Sequence, residues 1–166
     1  FGTLGVIVEG TFMVRPRPAF RATFVLRCSS VERASAMALE LAGSNLQPFF
    51  IEMANFFPSG SGFAETEKDS YNVYVCFAGI EEEVNYQRVG LQQMAYEKNC
   101  VVDEQSDDES AALALRLQNF PASGSPFLRC KISLKPADVG KFCAELESMS
   151  KMRETPVLIL AHAGIG

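Results

Sequence analysis

The sequence predicts an α+β fold: an antiparallel sheet with helices mainly on one face, arranged as a ferredoxin-like βαββαβ block followed by an extra βαβ piece. Three observations carry that expectation. Strand-like and helix-like segments alternate along the chain, and the helix-like ones repeat apolar residues every three or four positions. The strand-like ones alternate apolar with polar residues, the mark of a sheet whose faces differ, where a parallel sheet covered on both sides would be continuously apolar. A chain of 166 residues can also bury roughly 70% of its unfolded surface, enough for one core in a single domain.

The elements follow in order. Leu4 to Val14 reads as a strand. Phe20 to Cys28 reads as a half-buried one, with Phe20, Ala22, Phe24, Leu26 and Cys28 opposed to Arg21, Thr23 and Arg27. Ser29 and Glu32 have the spacing of a capping box and open a helix that continues through Val31, Ala34, Ala38 and Leu41 to a stop at Gly43. A strand from Gln47 to Met53 puts Phe49, Ile51 and Met53 on one face. Asn55 to Ser70 reads as a loop, because Pro58-Ser59-Gly60-Ser61-Gly62 is poorly suited to a ladder or a helix. Tyr71, Val73, Val75 and Phe77 then share a strand face. Ile80 to Lys98 is a long helix buried through Val84, Leu91, Met94 and Ala95. Cys100 to Asp103 is a short strand, Asp108 to Leu117 a helix, and Leu128 to Lys135 a further alternating strand. A helix carrying Val139, Phe142, Cys143, Leu146 and Met149 precedes the last apolar run, Val157 to Leu160.

Composition removes several classes of function. Fifteen Lys+Arg against twenty Asp+Glu leave a net charge of −5, without the basic stripe that displaces counterions from phosphates, so no nucleic-acid partner is expected. No apolar run approaches the roughly 20 residues that span a bilayer, and no transmembrane segment or secretory signal is read. Cys28, Cys76, Cys100, Cys130 and Cys143 are dispersed and accompanied by a single histidine, which suits buried small side chains in a reducing compartment better than a disulfide framework or a zinc site. The acidic runs Glu81-Glu82-Glu83 and Asp107-Asp108-Glu109 fall at helix starts, where carboxylates favour the positive end of the helix dipole. Thirteen Phe residues without a Trp leave room for an aromatic docking face beside ordinary core packing.

One residue stands apart. His162 follows an apolar strand signal and precedes Ala163-Gly164-Ile165-Gly166, where glycines permit close approach of a ligand. An acid/base or metal-ligating position and a structural histidine are both compatible with that setting.

The ends of the chain are similar to a known family. Phe1-Gly2-Thr3-Leu4-Gly5-Val6-Ile7-Val8-Glu9, followed by Arg15-Pro16-Arg17-Pro18, resembles the junction in FAD-linked oxidases of the vanillyl-alcohol oxidase and glycolate oxidase type, where the flavin-binding domain passes into the substrate (cap) domain. Phe50-Ile51-Glu52-Met53 resembles the leucine-glutamate-leucine strand of that second domain, and Tyr71 to Gly79 with Glu82-Glu83-Val84 and Gln87 its glycine-phenylalanine-glutamate-glycine strand and helix. Ala161-His162-Ala163-Gly164-Ile165-Gly166 resembles its histidine-alanine-glycine-x-glycine turn.

The resemblance implies that residues 1–166 are the C-terminal substrate domain of a larger FAD-dependent oxidase, with 1–18 the end of the flavin-binding domain and the junction. Gly2, Thr3, Leu4 and Gly5 would contact FAD through backbone groups, and His162 would lie near the substrate. Hydride would pass from the α-carbon of a small 2-hydroxy acid, glycolate- or lactate-like, to the flavin. The implied partners are the N-terminal FAD-binding domain, the hydroxy acid and other oxidase subunits. The implied location is cytoplasmic, free or held at the membrane by those subunits. Ile165 stands where the 2-hydroxy-acid branch commonly has an aspartate, so no metal site is expected. Alone, the chain is expected to be inactive and to self-associate. The alternative is a non-catalytic ferredoxin-like binding or assembly module that docks a partner on a helix-free sheet face.

Overall fold

A computed structural model describes residues 8–12, 17–59, 62–65, 70–120 and 130–163. The architecture is α+β. Five strands, β1 (Phe20–Cys28), β2 (Phe50–Ala54), β5 (Tyr71–Gly79), β6 (Val101–Gln105) and β7 (Leu160–Ala161), form one sheet in the order β6-β1-β5-β2-β7, and every pairing is antiparallel. A separate hairpin, β3 (Phe56–Ser59) with β4 (Gly62–Glu65), is inserted between β2 and β5. Four helices are present among the described residues: α1 (Val31–Gly43), α2 (Glu81–Glu97), α3 (Asp107–Gln118) and α4 (Pro136–Arg153).

The period-two pattern decides which side of the sheet each helix covers. Ala22, Phe24, Leu26 and Cys28 of β1, Tyr71, Val73, Val75 and Phe77 of β5, and Ile51 and Met53 of β2 all face one layer. There they meet Val31, Ala34, Ala38 and Leu41 of α1, Val84, Leu91 and Ala95 of α2, and Val139 and Cys143 of α4. On the opposite side Val25, Tyr74 and Ala54 pack with Phe56 of the hairpin and with Leu113 and Leu117 of α3. Helices are therefore mainly, not wholly, on one face. The helix-free face expected of a docking module is occupied in part by α3, which is why β5 is buried from Tyr71 through Phe77.

Several local expectations are corrected. The cap of α1 is Ser30, whose hydroxyl accepts from the Arg33 amide, so Ser29 and Glu32 do not form the capping box. The reciprocal box is instead at α3, where Ser106 caps the Glu109 amide and the Glu109 carboxylate returns to the Ser106 amide. Pro58 and Ser59 lie in a strand after all. A two-stranded ribbon consists only of edges, and edge strands tolerate a missing N–H. Residues 130–135 form no strand, and Cys130 and Ile132, expected inward, are exposed. Alternation makes a strand only where a neighbour offers a ladder, and here the two edges of the sheet are β6 and β7. Among the described residues the extra piece is thus two helices and the short β7. Residues 8–12 of the expected first strand are likewise not in a ladder, and Val8 and Phe12 are exposed. No helix among the described residues is long and apolar enough to cross a membrane.

The end of the chain is positioned by β2. Met53 pairs with Ala161 and Ala54 with Leu160. One residue further, the Asn55 carboxamide holds the approaching segment, donating to the Val157 carbonyl at 2.8 Å and accepting from the Ile159 amide at 2.8 Å. The Asn55 amide donates to the Ile159 carbonyl at 3.3 Å. α4 delivers this segment. It crosses α1 closely enough that a Cβ built at Gly140 would collide with Ser35 Oγ.

Candidate functional site

Continuing the β2–β7 register by one residue places His162 opposite Glu52. The side chains meet: His162 Nδ1 lies 2.7 Å from Glu52 Oε1, a contact between residues 110 apart in sequence. Glu52 alternates with Ile51 and Met53, which face the helical layer, so it projects to the same side as Tyr74 and Ala54. The two partners differ in exposure. The Glu52 side chain is 13% exposed and the His162 side chain 59%.

That asymmetry sets the chemistry. Burial pushes the Glu52 carboxyl above its ordinary value, and the hydrogen bond and charge interaction with His162 oppose the shift. Glu52 Oε2 is buried and has no hydrogen-bond partner among the described residues. The carboxylate is therefore held chiefly by one contact. An ionised carboxylate can only accept, so with Glu52 ionised Nδ1–H donates to Oε1, and in the neutral imidazole Nε2 then carries the lone pair. A carboxylate behind an imidazole, fixing its tautomer and orientation, is the arrangement by which histidine is prepared as a base or a hydrogen-bond acceptor.

Of the residues expected at the site, His162 is at the rim of the sheet as described. Gly2, Thr3, Leu4 and Gly5 lie outside the described residues, as do Gly164, Ile165 and Gly166. Glu52 was not singled out from the sequence as a site residue. The available signal was a carboxylate in the middle of a strand between Ile51 and Met53, on the face shared with Phe50 and Ala54. Its partner could not be inferred from spacing.

A small polar cleft beside β6, at the opposite edge of the sheet, is lined by Arg21, Arg88, Glu81 and Glu104, and its Arg88 is paired with Glu104 at 2.7 Å. Among the described residues no group of three or more His, Cys, Asp or Glu side chains could hold a metal ion. The acidic residues Glu81, Glu82 and Glu83 occupy the first turn of α2, and α3 begins at Asp107.

Compared with protein-family models, curated proteins and solved structures, the chain matches none.

Proposed function

We propose that this chain is the substrate-side domain of an FAD-dependent oxidoreductase acting on a small 2-hydroxy acid, with His162 as the acid/base group and Glu52 as the residue that orients it. The observation that carries the reading is the Glu52–His162 contact. It joins two segments, Phe50-Ile51-Glu52-Met53 and Ala161-His162-Ala163-Gly164, that each resemble a different motif of the same oxidase family. A half-exposed imidazole backed by a buried carboxylate is the donor set such a site needs on the side facing flavin and substrate.

A flavin, held by a neighbouring domain, would supply the hydride acceptor. The residues of this chain do the rest: Nε2 of His162 accepts the hydroxyl proton of the substrate, while Glu52 keeps Nδ1–H engaged and stabilises the imidazolium that forms. The domain covers the reacting carbon and excludes water from it.

The test is His162→Asn in the full-length parent enzyme. Asparagine can keep an N–H directed at Glu52 but has no counterpart of Nε2. Turnover should fall roughly 10²- to 10⁴-fold with flavin content and thermal stability near those of the parent. Unchanged turnover would remove His162 from the chemistry.

A second reading, a non-catalytic docking module, draws on Tyr86, Val89 and Tyr96, which share one face of α2 and are 69%, 65% and 81% exposed. It is favoured if the parent sequence contains no flavin-binding segment upstream.

A further inference from the structure

Cys28 closes β1 and Cys100 immediately precedes β6. The β1–β6 register pairs Arg27 with Val101, so continuing it by one residue sets the two cysteines directly opposite each other. Opposed residues of antiparallel strands have Cα atoms about 4.5 or 5.5 Å apart and side chains on the same face, inside the range of about 4.4–6.8 Å that a disulfide bridges. The sulfurs are already in contact at 3.9 Å. Both side chains join the same core cluster, Cys28 as a buried member and Cys100 as a partly buried one at its margin. The turn that presents Cys100 is well defined: Asn99 has a left-handed φ of 53°, and the Cys100 amide donates to the Ala95 carbonyl at 2.9 Å.

We propose that Cys28 and Cys100 form a reversible thiol–disulfide site that reacts with small-molecule disulfides of the glutathione class and, when oxidised, clasps the edge strand β6 to its inner neighbour β1. Cys100 reacts first, being the less buried of the two. Its thiolate attacks one sulfur of glutathione disulfide, forming a mixed disulfide and releasing one glutathione thiolate. Cys28 Sγ then attacks Cys100 Sγ. Its proton passes to the departing second glutathione as that S–S bond breaks. The two protein thiols lose two electrons and two protons, and glutathione disulfide gains them as two glutathione thiols. Burial, with smaller contributions from the neighbouring Cys100 and against the nearby charge of Arg33, pushes the Cys28 thiol up to about 12, so closure should quicken with rising pH.

The reaction is read by peptide mass mapping without reductant. Cys130 is exposed, and the experiment uses a Cys130→Ser chain so that this thiol does not compete, while the buried Cys76 and Cys143 serve as internal controls. After incubation with glutathione disulfide and alkylation, the expected product is a Cys28–Cys100 cross-linked peptide pair, lighter by two hydrogens and reopened by dithiothreitol. In Cys28→Ser the chain should instead stop at glutathione bound to Cys100. Alkylation of both thiols after oxidant treatment, a mixed disulfide at Cys100 that never closes, or cross-links shared equally with Cys76 or Cys143 would each overturn the assignment.

Discussion

Replacing His162 by alanine in the isolated chain should cost stability at neutral pH, and should do so through Glu52. The Glu52 side chain is only 13% exposed, and its Oε2 has no partner among the described residues. Removing the imidazole leaves a largely desolvated carboxylate with no designated donor. Stranding a buried charged acceptor costs about 1–3 kcal/mol, and the lower half of that range applies because His162 itself is half exposed. For a domain of this size 1 kcal/mol moves Tm by about 2–4 °C. The sign with pH is fixed by the direction of the Glu52 shift. A folded-state value raised above the unfolded one means that the protonated carboxyl is the better tolerated form inside the protein. The carboxyl's contribution to stability is full below the unfolded value of about 4.3 and is lost as pH rises through the folded value. The deficit of His162→Ala should accordingly be largest near pH 7 and shrink toward pH 4.5. The assay is thermal unfolding by circular dichroism of the parent chain, His162→Ala, Glu52→Gln and the double variant at both pH values. Glu52→Gln should be at least as stable as the parent at pH 7, and in its background His162→Ala should cost little. Equal losses in the two backgrounds would refute the argument.

Three further outcomes are expected. Asn55→Ala, which removes both 2.8 Å bonds to the segment at 157–159, should lower hydrogen-exchange protection at the Ile159 amide and along β7 more than at β1 or β5; uniform loss across the sheet would show that Asn55 is not the local clamp. Gly140→Ala should lower Tm, because its Cβ would collide with Ser35 Oγ and stand 2.5 Å from Ser35 Cβ; overpacking of about 1–3 kcal/mol then outweighs the helix-propensity gain of about 1 kcal/mol. The same substitution in a Ser35→Gly background should raise Tm, and failure of the sign to reverse would mean that the helix crossing relaxes. Titration of the isolated chain with FAD, followed by flavin fluorescence, should show no saturable quenching at micromolar concentrations; stoichiometric binding would contradict the reading in which a neighbouring domain holds the cofactor.

The secondary structure of the sheet's centre is legible in the sequence because it depends on short-range pattern. Phe24, Leu26, Val73, Val75 and Phe77 alternate with polar or smaller neighbours over runs long enough to define a face, and Val84, Leu91 and Ala95 repeat at helical spacing within a seventeen-residue helix. Where alternation stood without a partner strand, as at Cys130 and Ile132, the same pattern misled. A ladder needs a second chain segment, and residues 130–135 do not encode whether one is near.

The candidate site divides along the same line. Sequence alone determined that His162 is the single histidine and that it follows an apolar run. Tertiary structure decided what it does with its ring nitrogens. Glu52 reaches it only because β5 places β2 at the flank of the sheet and β7 returns along β2 in one particular register. A slip of one residue would turn Glu52 toward the helical layer and leave His162 without its carboxylate, since successive side chains of a strand point to opposite faces. Cys28 and Cys100 follow the same rule: seventy-two residues apart, they become neighbours through the antiparallel pairing of β1 with β6. Patterns of two and of three to four residues are local and can be read along a chain, whereas register between distant strands is a property of the whole packed core.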